Sequence, residues 1–182
     1  MDYSGKNKKG GFDVGLFGFL FGGSKKKKLL EMQRIVLKDS PGYLIMSEAQ
    51  LKRAAMQQAQ NDLRIIKDCI SLISKTEKPD VFFSRLDLLE IHSKHLMELE
   101  PYISFSGASP KDAYKEIVTK KDECIRQFLV RYCTSVKIKA DAMKTEKGKT
   151  NKYIKSYENL QPYFSCLSDR NKEYVSKMLN KK

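Results

Sequence analysis

Met56, Ala59, Leu63, Ile66, Ile70 and Ile73 recur at alternating spacings of three and four residues. Only an α-helix gathers that spacing onto one face, and such a face must be buried against another element. Ser47, followed three residues later by Gln50, is a capping box, so the predicted helix opens there and closes before Pro79. The same period continues downstream. A second helix is predicted from Asp80, carrying Phe82, Leu86, Leu89, Leu96, Leu99 and Ile103. Ser109 before Pro110 places a capping serine ahead of a proline at the first helical position. The third helix then buries Ile117, Cys124 or Ile125, Phe128 and Tyr132, and runs to about Met143. Gly148 reads as a helix-terminal glycine. A fourth helix from Thr150 presents Ile154, Tyr157, Leu160 and Phe164, with Pro162 disturbing its last turn. Ser168 opens a short fifth helix bearing Val175, Met178 and Leu179.

No sustained period-two alternation occurs between residues 47 and 182. The predicted fold class is therefore all-α, an antiparallel bundle of about four to five helices with a disordered N-terminal tail. Residues 1–28 are assigned to the tail and 29–182 to the bundle. Such a bundle, at about 150 residues, can bury roughly 70% of the surface its unfolded chain exposes. That is core enough without metals or disulfides. Leu29 to Leu37 form a short apolar segment closed by the turn signal Ser40-Pro41-Gly42, and both helix and strand fit residues 29–46.

The chain of 182 residues carries a formal charge of +13, unevenly spread. Residues 1–28 have a balance of +5, residues 29–133 only +1, and residues 134–182 a balance of +7. Basicity gathered at both ends of a nearly neutral body points to an anionic partner there, nucleic acid or a membrane surface, or else to simple solvation of exposed ends. In the tail, Phe12, Val14, Leu16, Phe17, Phe19, Leu20 and Phe21 are interleaved with glycines and followed by Lys25, Lys26, Lys27 and Lys28. The apolar run is far short of the roughly 20 residues that span a bilayer as a helix. Phenylalanines at the interface with lysines on an anionic leaflet would suit peripheral attachment instead. Asp2 after the initiator Met excludes N-myristoylation, which needs glycine there.

The segment from Lys75 through Val81-Phe82-Phe83-Ser84-Arg85-Leu86-Asp87-Leu88-Leu89 carries a resemblance, as do Phe128-Leu129-Val130-Arg131-Tyr132 and Met143-Lys144-Thr145-Glu146-Lys147-Gly148-Lys149. Together they resemble small all-helical proteins of Gram-positive bacteria and their mobile elements, over residues 47–180. The resemblance implies no activity, so no functional residue is carried over. Some proteins of that pattern bear an N-terminal zinc-binding module. This chain has no cysteine before Cys69.

Chemistry-bearing motifs are sparse. Gly148-Lys149-Thr150 lacks the glycine that a phosphate-binding loop needs five residues earlier, where Met143 stands. His92 and His95 lie three apart, but the carboxylate-bridged helical metal sites place Glu three residues before His, and Leu89 and His92 occupy those places. Solvated surface histidines are expected. There is no Gly-x-Ser-x-Gly elbow, and adjacent Asp122 and Glu123 diverge on a helix. Cys124 and Cys133 lie nine residues apart, roughly 13 Å along a helix, too far for a disulfide. Free thiols of a reducing cytosol are expected. Lys149, Lys152, Tyr153 and Lys155 form a basic, aromatic patch that could contact single-stranded nucleic acid, with Tyr153 at the surface while Tyr157 and Phe164 pack inward.

These observations favour a non-enzymatic, cytoplasmic protein-interaction or accessory module with an unknown protein partner, and no cofactor, metal or small-molecule substrate is expected. The alternatives are peripheral attachment to anionic membrane through residues 12–28 and non-specific nucleic-acid binding through the basic C-terminal helices.

Overall fold

The computed structural model describes residues 14–179, and the backbone alone for residues 14–22. Among the described residues there are six α-helices, one 3-10 helix and no strand. The helices are α1 (Val14–Val36), α2 (Glu48–Lys75), α3 (Pro79–Leu99), α4 (Pro110–Asp141), α5 (Glu146–Glu158) and α6 (Asp169–Leu179), with the 3-10 turn Gln161–Cys166 between the last two. The chain divides between Ala55 and Met56 into two compact units.

The first unit resolves the helix-or-strand ambiguity. Leu29 to Val36 continue α1, and the stretch up to Ser47 is loop. A buried glutamine holds that loop. The side-chain amide of Gln33 donates to Ser40 Oγ at 2.7 Å and to the Tyr43 carbonyl at 3.0 Å, and its Oε1 accepts the Ile45 N–H at 2.9 Å. A wholly buried amide is tolerated because both its ends are satisfied. Met32, Val36, Leu51 and Ala55 are the unit's buried apolar residues. Residues 14–28, expected as tail, carry helical backbone as part of α1. The lysines and the Leu29-Leu30-Glu31-Met32 run are good helix formers, while Gly15, Gly18, Gly22 and Gly23 each cost this helix roughly 1 kcal/mol. The remainder of the expected tail, residues 1–13, lies outside the described residues.

In the second unit α4, 32 residues long, is central: α3, α5 and α6 all pack on it. The core is aromatic where α3 meets α4. Phe82 stacks on Phe128 with ring centroids 4.0 Å apart, and Phe83 meets Phe128 edge-on and stacks on Tyr163 at 4.5 Å. Ile125, Leu129, Tyr132 and Val136 extend this core along α4, and Leu160, Leu167, Val175 and Leu179 close it from the C-terminal side.

The helix starts show which sequence signals were obeyed. At Ser47 the capping box forms as expected, with Ser47 N–H donating to Gln50 Oε1 at 2.9 Å and Gln50 N–H to Ser47 Oγ at 3.4 Å. Pro79 and Pro110 open α3 and α4 in the first turn. Ser109, however, does not cap with its side chain. Its hydroxyl donates to Glu100 Oε1 at 2.6 Å, and Glu100 Oε2 accepts the Lys111 N–H at 3.2 Å. The carboxylate takes over the cap because a negative charge suits the positive end of the helix. Gly148 is not a terminal glycine. It sits in the first turn of α5, where its N–H reaches Thr145 Oγ1 at 3.1 Å and a Cβ would come within 2.9 Å of that oxygen.

Candidate functional site: an apolar groove between three helices

The inward face of α2 is turned from the one its spacing suggests. Ala59 and Ile73 are buried as expected, but Met56, Leu63 and Ile70 remain 54%, 50% and 55% exposed. Those three stand seven residues apart, so on a 3.6-residue helix they form one stripe. The buried positions beside them are Asp62 and Cys69, which the hydrophobic pattern alone passes over.

Asp62 explains the rotation. Its carboxylate, on a residue only 4% exposed, bridges two imidazoles of α3: His92 Nδ1 lies 2.7 Å from Oδ1 and His95 Nδ1 lies 2.6 Å from Oδ2. With the carboxylate ionised, each imidazole carries its proton on Nδ1 and donates it. An aspartate on a buried face is costly unless paired, so the turn of α2 that seats Asp62 against both histidines is the one adopted. The two histidines are thus clamped groups, not the solvated ones expected. The separations are those of hydrogen bonds. A metal ion would need its ligand atoms about 2 Å from itself and spread around it. Among the described residues no cluster of three or more side chains is arranged to hold a metal ion.

Beside this clamp an open groove of about 410 Å³ runs between α2, α3 and the N-terminal half of α4. Leu63, Ile66 and Ile70 make one wall, Leu89, Ser93 and Leu96 lie along the floor, and Ala113, Ile117 and Cys124 face them from α4. The groove persists because α4 has no buried residue between Pro110 and Ile125, so among the described residues its first turns stay open. Ser93 adds a polar element: it is 3% exposed and its Oγ has no hydrogen-bond partner. At the α4 rim the charges are already matched, Lys120 to Glu116 at 2.5 Å and Lys121 to Glu90 at 2.6 Å. That last pairing raises the Lys121 pKa above its ordinary value.

A second concavity, about 730 Å³, opens beside Tyr132 and Lys152. Some of its polar groups are spent on one another. Tyr132 donates to the Ser156 carbonyl at 3.0 Å, while Ser135 and Lys139 both donate to Glu77 Oε2 at 2.8 Å. Lys78, Asp80, Lys152 and Glu158 also line it, without the apolar wall that marks the first groove.

The residues singled out for anionic partners are distributed as follows. Phe12 lies outside the described residues. Leu16, Phe17, Phe19, Leu20 and Phe21 fall within α1, and their side chains lie outside the described set. Lys25, Lys26, Lys27 and Lys28 are exposed, with Lys25 Nζ 2.9 Å from Glu48 Oε2. Hydrogen bonds from Lys52 and Lys25 together hold the Glu48 carboxyl down at about 2. Of the C-terminal patch, Lys155 is exposed, Lys152 is half-buried and Lys149 pairs with Glu146 at 2.7 Å. Tyr153 is buried, and Ile154 takes the exposed place. The ring expected to offer a stacking surface is therefore a core ring, part of the buried cluster where α5 packs on α4.

The four cysteines are unpaired thiols. Burial pushes the Cys133 thiol up to about 12, and raises those of Cys69 and Cys124 as well. Cys69 and Cys133 are buried, unlike the accessible thiols that act as nucleophiles, while Cys166 is exposed.

No protein family, curated protein or solved structure matches the chain.

Proposed function

We propose that this protein is a non-enzymatic interaction module that docks an amphipathic helix of a protein partner in the groove between α2, α3 and α4. The observation carrying this reading is the stripe of Met56, Leu63 and Ile70, half-exposed at seven-residue spacing beside an uncovered apolar wall. Seven-residue spacing is the register in which helices pack along one another, and the stripe is about 21 Å long, the length of a four-turn helix. Recognition of this kind uses a few apolar anchors spaced along one helix face. The scaffold that goes with it is an antiparallel bundle of four to five helices, and the resemblance stated above suggests an accessory role on a mobile element. A designed helical peptide with leucine at each a and d heptad position provides the test. Titrated into the full chain, it should shift the methyl NMR signals of Ile66, Ile70 and Ile117 and leave Val136 and Val175 unmoved. Absence of shifts at millimolar peptide refutes the reading.

Continuous helical backbone from Val14 to Val36 supports a second reading, peripheral attachment to anionic membrane. It sets the apolar stretch Val14–Phe21 one turn before Lys25 to Lys28 in a single rod. Among the described residues no helix is long and apolar enough to cross a membrane. Co-sedimentation with anionic vesicles should then be abolished by deleting residues 1–28. Pelleting that survives the deletion, or no pelleting at low salt, excludes it.

A further inference from the structure

We propose that the partner helix is acidic along one edge, and that α2 selects it by charge. The inference rests on the groove being a helix-docking site and adds the chemistry of its occupant. The solvent side of the Met56–Leu63–Ile70 stripe is bordered by Lys67, Gln60, Ser71 and Arg64, a band without a carboxylate. Asp68, the nearest acid along the helix, is turned about 100° away from Lys67 and stands one turn from Arg64, with no ion pair between Asp68 and Arg64 among the described residues. Arg64 is spent only on the neutral Asn61 at 3.0 Å, and Lys67 is exposed without an ion pair among the described residues. The opposite wall differs. Its Lys120 and Lys121 are each neutralised by a glutamate of the same fold. The rim is thus charge-balanced on α4 and unbalanced, positive, on α2.

An apolar helix laid in the groove would set its flanking residues against Arg64 and Lys67. Glutamate or aspartate there gains attraction and steering. Lysine or arginine there is repelled, which sets specificity as much as affinity. A second copy of this chain is the less favoured occupant, because the α2 edge it would present carries Arg64 and Lys67 against the single acid Asp68.

Two designed helical peptides, identical in their leucine seam but with glutamate or lysine at every e and g position, are titrated into the full chain. The glutamate peptide should bind about tenfold more tightly at low salt, the worth of a few exposed charge pairs. The ratio should fall toward one near 1 M salt, where screening shortens to about 3 Å. The surface variant combining Arg64→Glu with Lys67→Glu should reverse the order of the two peptides, with its helical circular dichroism unchanged. Equal binding of both peptides overturns the acidic-edge inference and leaves the groove as a docking site. Binding of neither overturns both. A stable dimer in light scattering, split by Leu63→Lys, shows that a second copy fills the groove and overturns the inference in favour of self-association.

Discussion

Replacing Asp62 with alanine tests whether the α2–α3 clamp sets the turn of α2. Asp62 is 4% exposed and accepts two hydrogen bonds, at 2.7 Å from His92 and 2.6 Å from His95. A hydrogen bond to a charged group contributes about 1.5–3 kcal/mol net. The histidine side chains are 21% and 26% exposed, so water can re-solvate them partly when the carboxylate goes. The alanine variant also no longer buries a charge, which returns part of the loss. The expected destabilisation is therefore about 2–4 kcal/mol. For a chain of this size that is on the order of 5–10 °C in Tm. Asp62→Asn keeps the shape and one acceptor, and should cost about half as much. Thermal and urea unfolding measure the loss. A double-mutant cycle with His92→Ala and with His95→Ala isolates the coupling, expected at about 1 kcal/mol or more for each pair. A loss below about 0.5 kcal/mol, or no coupling to either histidine, would refute the argument that this clamp sets the rotation of α2.

Thiol labelling near pH 8 should modify the exposed Cys166 first and Cys124 more slowly, while Cys69 and Cys133 react only on unfolding. A groove-bound peptide should protect Cys124, and labelling of Cys133 at the rate of Cys166 contradicts the described core. Hydrogen bonds from Lys139 and Ser135 hold the Glu77 carboxyl below its ordinary value. A carboxyl lowered in the folded state stabilises above its unfolded pKa, and that contribution is lost as pH falls through the lowered value. The Tm gap between the parent and Glu77→Gln should thus be full at neutral pH and close in acid, as read by Tm against pH. A gap that widens in acid would have the wrong sign.

Helix existence and type were legible in the sequence because they rest on local rules. The capping box at Ser47 and the prolines at Pro79 and Pro110 mark helix starts through the geometry of a few adjacent residues. The inward residues of α3 and the C-terminal half of α4 followed from the 3.6-residue period, since Phe82, Leu86, Leu89 and Phe128 lie in the core, and of the pair left open it is Ile125 that is buried. What failed were readings that needed a distant partner. Glu100 displaced Ser109 as the cap of α4 from nine residues upstream, and Tyr153 was drawn inward by the wall of α4. One signal for the clamp did stand in the sequence: Asp62 interrupts the inward side of α2, and an acid there requires a buried partner. The sequence could not say that the partners were His92 and His95, 30 and 33 residues away.

By itself, then, the sequence determined that the chain is helical, where most helices begin, and that its charge lies at the ends. These depend on backbone propensity, side-chain period and composition, all of which are local. Only the tertiary structure decided which way α2 faces, and with it that Leu63 and Ile70 line an open groove beside an unbalanced basic edge. Apolar spacing fixes a helical face only to within about one residue's turn, 100°, and the choice within that range falls to the costliest group to bury. Here that group is one carboxylate.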